Sequence, residues 1–68
     1  KERGLFSIKK IVEQSSKVLK EGGMLMIEHG YDQQDDVGSI FKKYNFSKIE
    51  NLKDLQSLPR ITLGTIGR

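Results

Sequence analysis

The stretch from Gly22 to Gly30, Gly-Gly-Met-Leu-Met-Ile-Glu-His-Gly, constrains the fold more than any other part of the chain. Two glycines close a helical pattern, four apolar residues run without a break, and Glu28, His29 and Gly30 end the segment. An unbroken apolar run of this length reads as a strand buried on both faces, which a hairpin with one wet face seldom needs. In open α/β sheets, ligands collect outside the carboxyl ends of such strands. Glu28 and His29 are therefore where a functional site is expected.

The flanking segments supply the other elements. Leu5 to Glu21 reads as a helix, with Ile8, Ile11, Val12, Val18 and Leu19 at helical spacing and Ser15 on the same stripe. Lys17 and Lys20 suit its negative dipole end, and Gly22 is the expected left-handed stop. Asp32 to Tyr44 reads as a second helix carrying Val37, Ile40, Phe41 and Tyr44 on one face. Asp32, Asp35 and Asp36 begin it and Lys42 and Lys43 end it, as the macrodipole favours. Asn45 is its expected left-handed stop, with Phe46 making the accompanying apolar contact. Gly38 implies close packing on a neighbour. Ser47 to Leu52 is a strand candidate anchored by Ile49 and Leu52, and a loop leads to a strand over Arg60 to Ile66. Pro59 stands at the start of that strand, where its missing N–H does least harm.

The order is helix, strand, helix, strand, strand, which places the chain in the α/β class. A strand–helix–strand crossover of this length predicts a right-handed parallel unit. The short last loop predicts a final strand antiparallel to its predecessor, and so a mixed sheet. Two helices cover one face, leaving the other face and at least one edge open.

Sixty-eight residues make at most one small domain, and 35% hydrophobic content with a mean hydropathy of -0.51 gives a thin core. Ordering each residue costs about 1.5 kcal/mol, so domains of this size sit near zero net stability unless something staples them. No cysteine is present, which excludes disulfides and thiolate metal sites, and a single histidine argues against a zinc centre. The expectation is a homo-oligomer or a single partial domain, residues 1–68 of something larger. The opening Lys1-Glu2-Arg3-Gly4, without methionine, favours the second. No segment approaches the ~18 apolar residues that span a bilayer and no signal peptide is visible, so the cytoplasm is the expected compartment. The net charge of +3 is spread along the chain, and Lys9-Lys10 and Lys42-Lys43 read as solvated helix backs. No interleaving of basic and aromatic residues marks an RNA platform, so nucleic acid is not an expected partner.

Five residues are candidates for a cleft wall: Glu28, His29, Gly30, Gln33 and Arg60. Glu28 could bond loop amides, line a cleft, cap the following helix or pair with a basic residue. His29 has the ordinary chemistry of a general base but no visible nucleophile, acid partner or metal ligand beside it, which favours a structural or surface role. Gly30 fits a turn that needs positive φ. Gln33 could face the cleft or bond the first turn of its own helix. Arg60 could hold an acidic partner through its planar fork or fix the loop before the last strand. Asp35 and Asp36 do not face each other on a helix, so they answer the dipole without catalysis. Phe6, Phe41, Tyr44 and Phe46 read as core, and Tyr31 as a staple for the second helix.

Gly4-Leu5 with Ile8 and Ile11, then Leu19, Gly22-Gly23, Glu28-His29-Gly30 with Gln33 and Val37, and Arg60 before Thr62-Leu63-Gly64 carry a family resemblance. In order and spacing they resemble the C-terminal segment of the release-factor glutamine (N5) methyltransferases of the HemK type, from Gly4 onward. The resemblance implies the C-terminal part of a class I, Rossmann-like methyltransferase sheet whose last strand is antiparallel. It also implies an S-adenosylmethionine-dependent enzyme that methylates the side-chain amide of a glutamine in peptide-chain release factors, important in translation termination. The family's glycine-rich cofactor loop, its ribose-binding acidic residue and its Asn-Pro-Pro-Tyr are not in this sequence. The resemblance thus carries over no catalytic, cofactor-binding or metal residue, and the segment alone is expected to be inactive and to bind no cofactor. The release factor and the rest of the methyltransferase domain are the implied partners. Two other readings stay open: a stand-alone binding or oligomerisation module, and the end of a nucleic-acid amino-methyltransferase.

Overall fold

The computed structural model describes residues 4–67; residues 1–3 and 68 lie outside it. Five elements follow in the expected order: α1 (Leu5–Val18), β1 (Met24–Glu28), α2 (Gln34–Lys43), β2 (Phe46–Lys53) and β3 (Pro59–Ile66). They form an α/β unit with two helices and one three-stranded sheet.

The sheet order corrects one expectation. Strand β3 lies between β1 and β2 and pairs antiparallel with both, so every ladder is antiparallel and the sheet is not mixed. β1 and β2 still run in the same direction, but β3 separates them. The physical reason lies in what each strand can tolerate. β3 alternates buried Thr62, Gly64 and Ile66 with half-buried Ile61, Leu63 and Thr65, which suits a strand paired on both sides. β2 carries Lys48, Glu50 and Lys53 and is interrupted by register shifts, features that suit an edge. Pro59 opens the central strand opposite Lys53, at the one place where a missing donor breaks no interior ladder bond.

β1 is also not buried on both faces. Met24 and Met26 are 58% and 57% exposed, while Ile27 is buried and Leu25 half-buried on the opposite side. Both helices pack on the Ile27 face, and no described element covers the Met24–Met26 face. The unbroken apolar run therefore faces a core on one side and solvent on the other.

The core joins Ile8 and Val12 of α1, Ile27 of β1, Val37 and Phe41 of α2, and Phe46 and Ile66 from the strands. Phe41 and Phe46 meet with ring centroids 5.1 Å apart and planes tilted by 55°. This fits the attraction of a ring edge to a ring face. On α1 the buried stripe is Ile8, Val12 and Ser16; Ser16, rather than Ser15, takes its last position and donates to the Glu13 carbonyl at 2.7 Å. Ile11 and Val18 turn outward at 48% and 79% exposure, and Phe6 at 73% lies against Lys10 instead of in the core.

The two helix ends differ in how well local sequence describes them. Asn45 has φ 73° and its N–H reaches the Lys42 carbonyl at 3.2 Å, the expected left-handed stop for α2. Gly22 has φ 89° as well, but α1 ends earlier, at Val18, with Leu19 extended. The sheet captures the glycines: the Gly22 N–H donates to Ile66, and the Ile66 N–H donates to Gly23. These bonds extend the β1–β3 ladder by one step and leave Lys20 beyond the helix. Gly38 has open space where a Cβ would stand, so it packs on no neighbour.

Candidate functional site

The carboxyl end of β1 gathers the candidate residues. Glu28 pairs across the ladder with Ile61, and the His29 N–H donates to the Arg60 carbonyl at 2.8 Å. This single backbone bond brings Arg60, distant in sequence, beside the Glu28–Gly30 turn.

His29 is buried at 8% exposure and sits in a polar chain that crosses the whole sheet. Its Nδ1 lies 2.7 Å from the Gly30 carbonyl and its Nε2 2.7 Å from the Thr62 hydroxyl. The Thr62 hydroxyl, fully buried, donates in turn to Asn51 Oδ1 at 2.9 Å. Two proton arrangements satisfy this chain. An imidazolium donates to both Gly30 and Thr62. Alternatively, a neutral ring donates from Nδ1 and accepts from Thr62, while the Asn51 amide rotates to donate. In both, the ring ties β1 to β3 and, through the Thr62 hydroxyl, to β2, and no carboxylate among the described residues bonds it. Replacing Thr62 with valine keeps the shape, removes the hydroxyl and leaves a buried ring nitrogen unpaired. The expected loss is about 1–3 kcal/mol, read from chemical denaturation.

Gly30 does not have positive φ. Its constraint is space, since a Cβ there would stand 3.2 Å from Asp32 Oδ1 and 3.3 Å from Gln33 Oε1. Gln33 folds its side-chain oxygen back to accept the Gly30 N–H at 3.0 Å, and its own N–H donates to the Gly30 carbonyl at 3.0 Å. The reciprocal pair closes the turn before α2 and explains why the helix starts at Gln34 instead of Asp32. Glu28 is exposed at the rim, and among the described residues it forms no ion pair.

Arg60 fixes the loop before the last strand. Its Nε donates to Asp54 Oδ2 at 2.7 Å, and its guanidinium lies 5.6 Å from the Tyr31 ring centre. Tyr31 is 54% exposed and stacks with Arg60 rather than stapling α2. The Asp54 carboxyl is held below the usual carboxylate range, chiefly by the Leu58 N–H; desolvation, the next largest effect, opposes this, and the Gln56 N–H and Arg60 lower it further. A depressed folded pKa stabilises the loop fully above the unfolded value, and the effect is lost as pH falls through the folded one. The amide resonances of Gln56 and Leu58 are therefore expected to move together in acid, below the pH at which a free aspartate titrates. An Asp54→Asn variant is expected to lack that transition.

Sequence reasoning missed Thr62, Asn51 and Asp54, whose partners lie across the sheet or around a tight loop. It also missed an open groove of about 380 Å³ between α2 and β2, lined by Gln34, Asp35, Gly38, Lys42 and Asn51 among others. Gly38 is the signal that marked it, read the wrong way round. Among the described residues, no cluster of His, Asp and Glu could hold a metal ion. No helix among them is long and apolar enough to cross a membrane.

No family model matches the chain. Individual relatives do. It is 46% identical over 61 residues to the release factor glutamine methyltransferase of Buchnera aphidicola subsp. Acyrthosiphon pisum, covering 90% of this chain and 22% of that protein. Against the enzyme of the same name from Buchnera aphidicola subsp. Schizaphis graminum, identity is 44% over 64 residues, 94% of this chain and 23% of the relative. The Pasteurella multocida protein of that name is 41% identical over 63 residues, 93% of this chain and 21% of the relative. The chain spans less than a quarter of the length of these relatives. These 68 residues correspond to the C-terminal segment of the release factor glutamine methyltransferases.

Proposed function

We propose that the chain is one partial domain of a cytoplasmic, S-adenosylmethionine-dependent methyltransferase that modifies the glutamine side-chain amide of peptide-chain release factors. The observation that carries this reading is the identity to proteins of that name across nearly all of this chain. Within such an enzyme the segment supplies one end of a Rossmann-like sheet, and the turn of Glu28, His29 and Gly30, with Gln33 and Arg60, forms part of the cleft wall.

The two sheet edges support the placement. β2 ends the sheet with lysines and an irregular ladder, the usual protection against further pairing. β1 offers an edge of Met24, Leu25, Met26 and Ile27 with no charge before Glu28. An unprotected apolar edge beside a bare face is where the remaining strands and helices of the domain pack.

The residues present do not fit S-adenosylmethionine. His29 and Thr62 spend their polar atoms on each other and on the sheet, and no buried side-chain polar atom among the described residues lacks a partner. No step of methyl transfer is therefore assigned to these side chains. Calorimetric titration of the isolated segment with S-adenosylmethionine is expected to give no binding heat. Micromolar affinity would contradict the reading of this segment as a wall without a cofactor site.

A further inference from the structure

The hydrogen-bond chain that begins at His29 is buried at one end and wet at the other. His29 and Thr62 are buried, whereas Asn51 is exposed and lines the open groove between α2 and β2. The separations are 2.7 Å from the Gly30 carbonyl to Nδ1, 2.7 Å from Nε2 to the Thr62 hydroxyl and 2.9 Å from there to Asn51 Oδ1. All three lie within hydrogen-bond range.

The buried end has a fixed direction. A carbonyl only accepts, so Nδ1 carries a hydrogen in every arrangement that satisfies Gly30. The hydrogen on Nε2 is then the variable one. With it, the ring donates to Thr62, the hydroxyl donates onward to Asn51 Oδ1, and the Asn51 NH2 group is left for the groove. Without it, Thr62 turns its hydrogen to Nε2 and accepts from the Asn51 amide, which leaves the Asn51 oxygen outward. Ring, hydroxyl and amide therefore change together, because a mixed arrangement strands a buried polar atom.

Charged neighbours lie on every side but take no part in the chain. Glu28 precedes the ring on β1, Asp32 follows it in the turn, and Arg60 of β3 is held by Asp54. Glu50 and Lys53 lie to either side of Asn51 on β2, and Asp35 and Lys42 of α2 line the groove. The buried residues of α1 are the uncharged Ile8, Val12 and Ser16. Among the described residues, no charged side chain bonds the ring or the Thr62 hydroxyl.

We propose that His29, Thr62 and Asn51 form a proton-linked relay. The proton on His29 Nε2, at the carboxyl end of β1, decides whether Asn51 offers the groove a donor or an acceptor. The coupling is reciprocal, so a hydrogen bond made to Asn51 from the groove biases the ring in turn. The relay is independent of which substrate the enzyme methylates.

The test is nuclear magnetic resonance of the complete enzyme, with nitrogen labels in its histidine and asparagine side chains. Between about pH 5 and 8, the Asn51 side-chain amide is expected to move with the same midpoint as the His29 ring nitrogens. Thr62→Ser, which keeps the hydroxyl, is expected to preserve this common midpoint, and Thr62→Val to abolish the Asn51 response. Asn51→Asp places an acceptor without a donor at the exposed end, where folding is least at risk. This variant is expected to keep Nε2 protonated to higher pH than in the parent, and to lose most of that effect when combined with Thr62→Val. An effect of equal size in the combined variant would reflect plain charge attraction and would overturn the relay. An Asn51 amide that stays still while the ring titrates would overturn it, as would a ring that keeps one proton arrangement throughout.

Discussion

Phe41→Ala is expected to unfold this segment. The ring is fully buried, 5.1 Å from Phe46, at the point where α2 meets the sheet. Removing a buried phenylalanine costs about 3–5 kcal/mol through lost burial and the cavity left behind. A small single core supplies no more than about 3–5 kcal/mol in total. The loss therefore matches the whole margin, and no neighbour replaces the ring: Val37 lies one turn away on the same helix, and Gly64 has no side chain. Amide dispersion in a nuclear magnetic resonance spectrum is expected to collapse. A Phe41→Leu variant, which keeps most of the volume, is expected to retain a folded spectrum.

Gly64→Val is expected to be nearly as damaging, for the opposite reason. A Cβ at Gly64 would stand 2.5 Å from Phe41 Cδ2 and 3.0 Å from Cε2, with Phe46 Cβ at 3.3 Å. No carbon pair tolerates the first distance, and the buried ring has no free volume into which to retreat. Overpacking of this kind costs about 1–3 kcal/mol, and a branched side chain on the central strand is expected at the upper end. Combining Gly64→Ala with Phe41→Leu is expected to cost less than the sum of the two, because the substitutions share one volume. Denaturation midpoints of the single and double variants measure this coupling directly.

These two residues also mark what local sequence can and cannot express. The helices are legible where the signal is local: Val37 and Phe41 at helical spacing, Asp35 and Asp36 in the first turn and the Asn45 stop stand, while the start moves from Asp32 to Gln34. Strand order was not, because the choice of β3 as the central strand depends on partners far away in sequence. The same limit explains Gly22, whose positive φ was foreseen but whose position was decided by Ile66 across the sheet. The apolar run of β1 reads as doubly covered, yet only the helix-bearing face is covered among the described residues. Among the candidate cleft residues, His29 finds partners that its local sequence does not name. Thr62 sits 33 residues away, and nothing in a threonine's immediate sequence names the histidine it will meet. Gln33 bonds the turn and Arg60 the loop, and Glu28 stands as an exposed carboxylate at the rim.

The central claim is that these residues are part of an enzyme acting on release factors. Its most direct test is mass spectrometry of a release factor incubated with S-adenosylmethionine and the complete protein that carries this segment. The account predicts one added methyl group on a single glutamine side chain, and none when the glutamine is replaced. An unmodified release factor, with methyl transfer to nucleic acid instead, would contradict it.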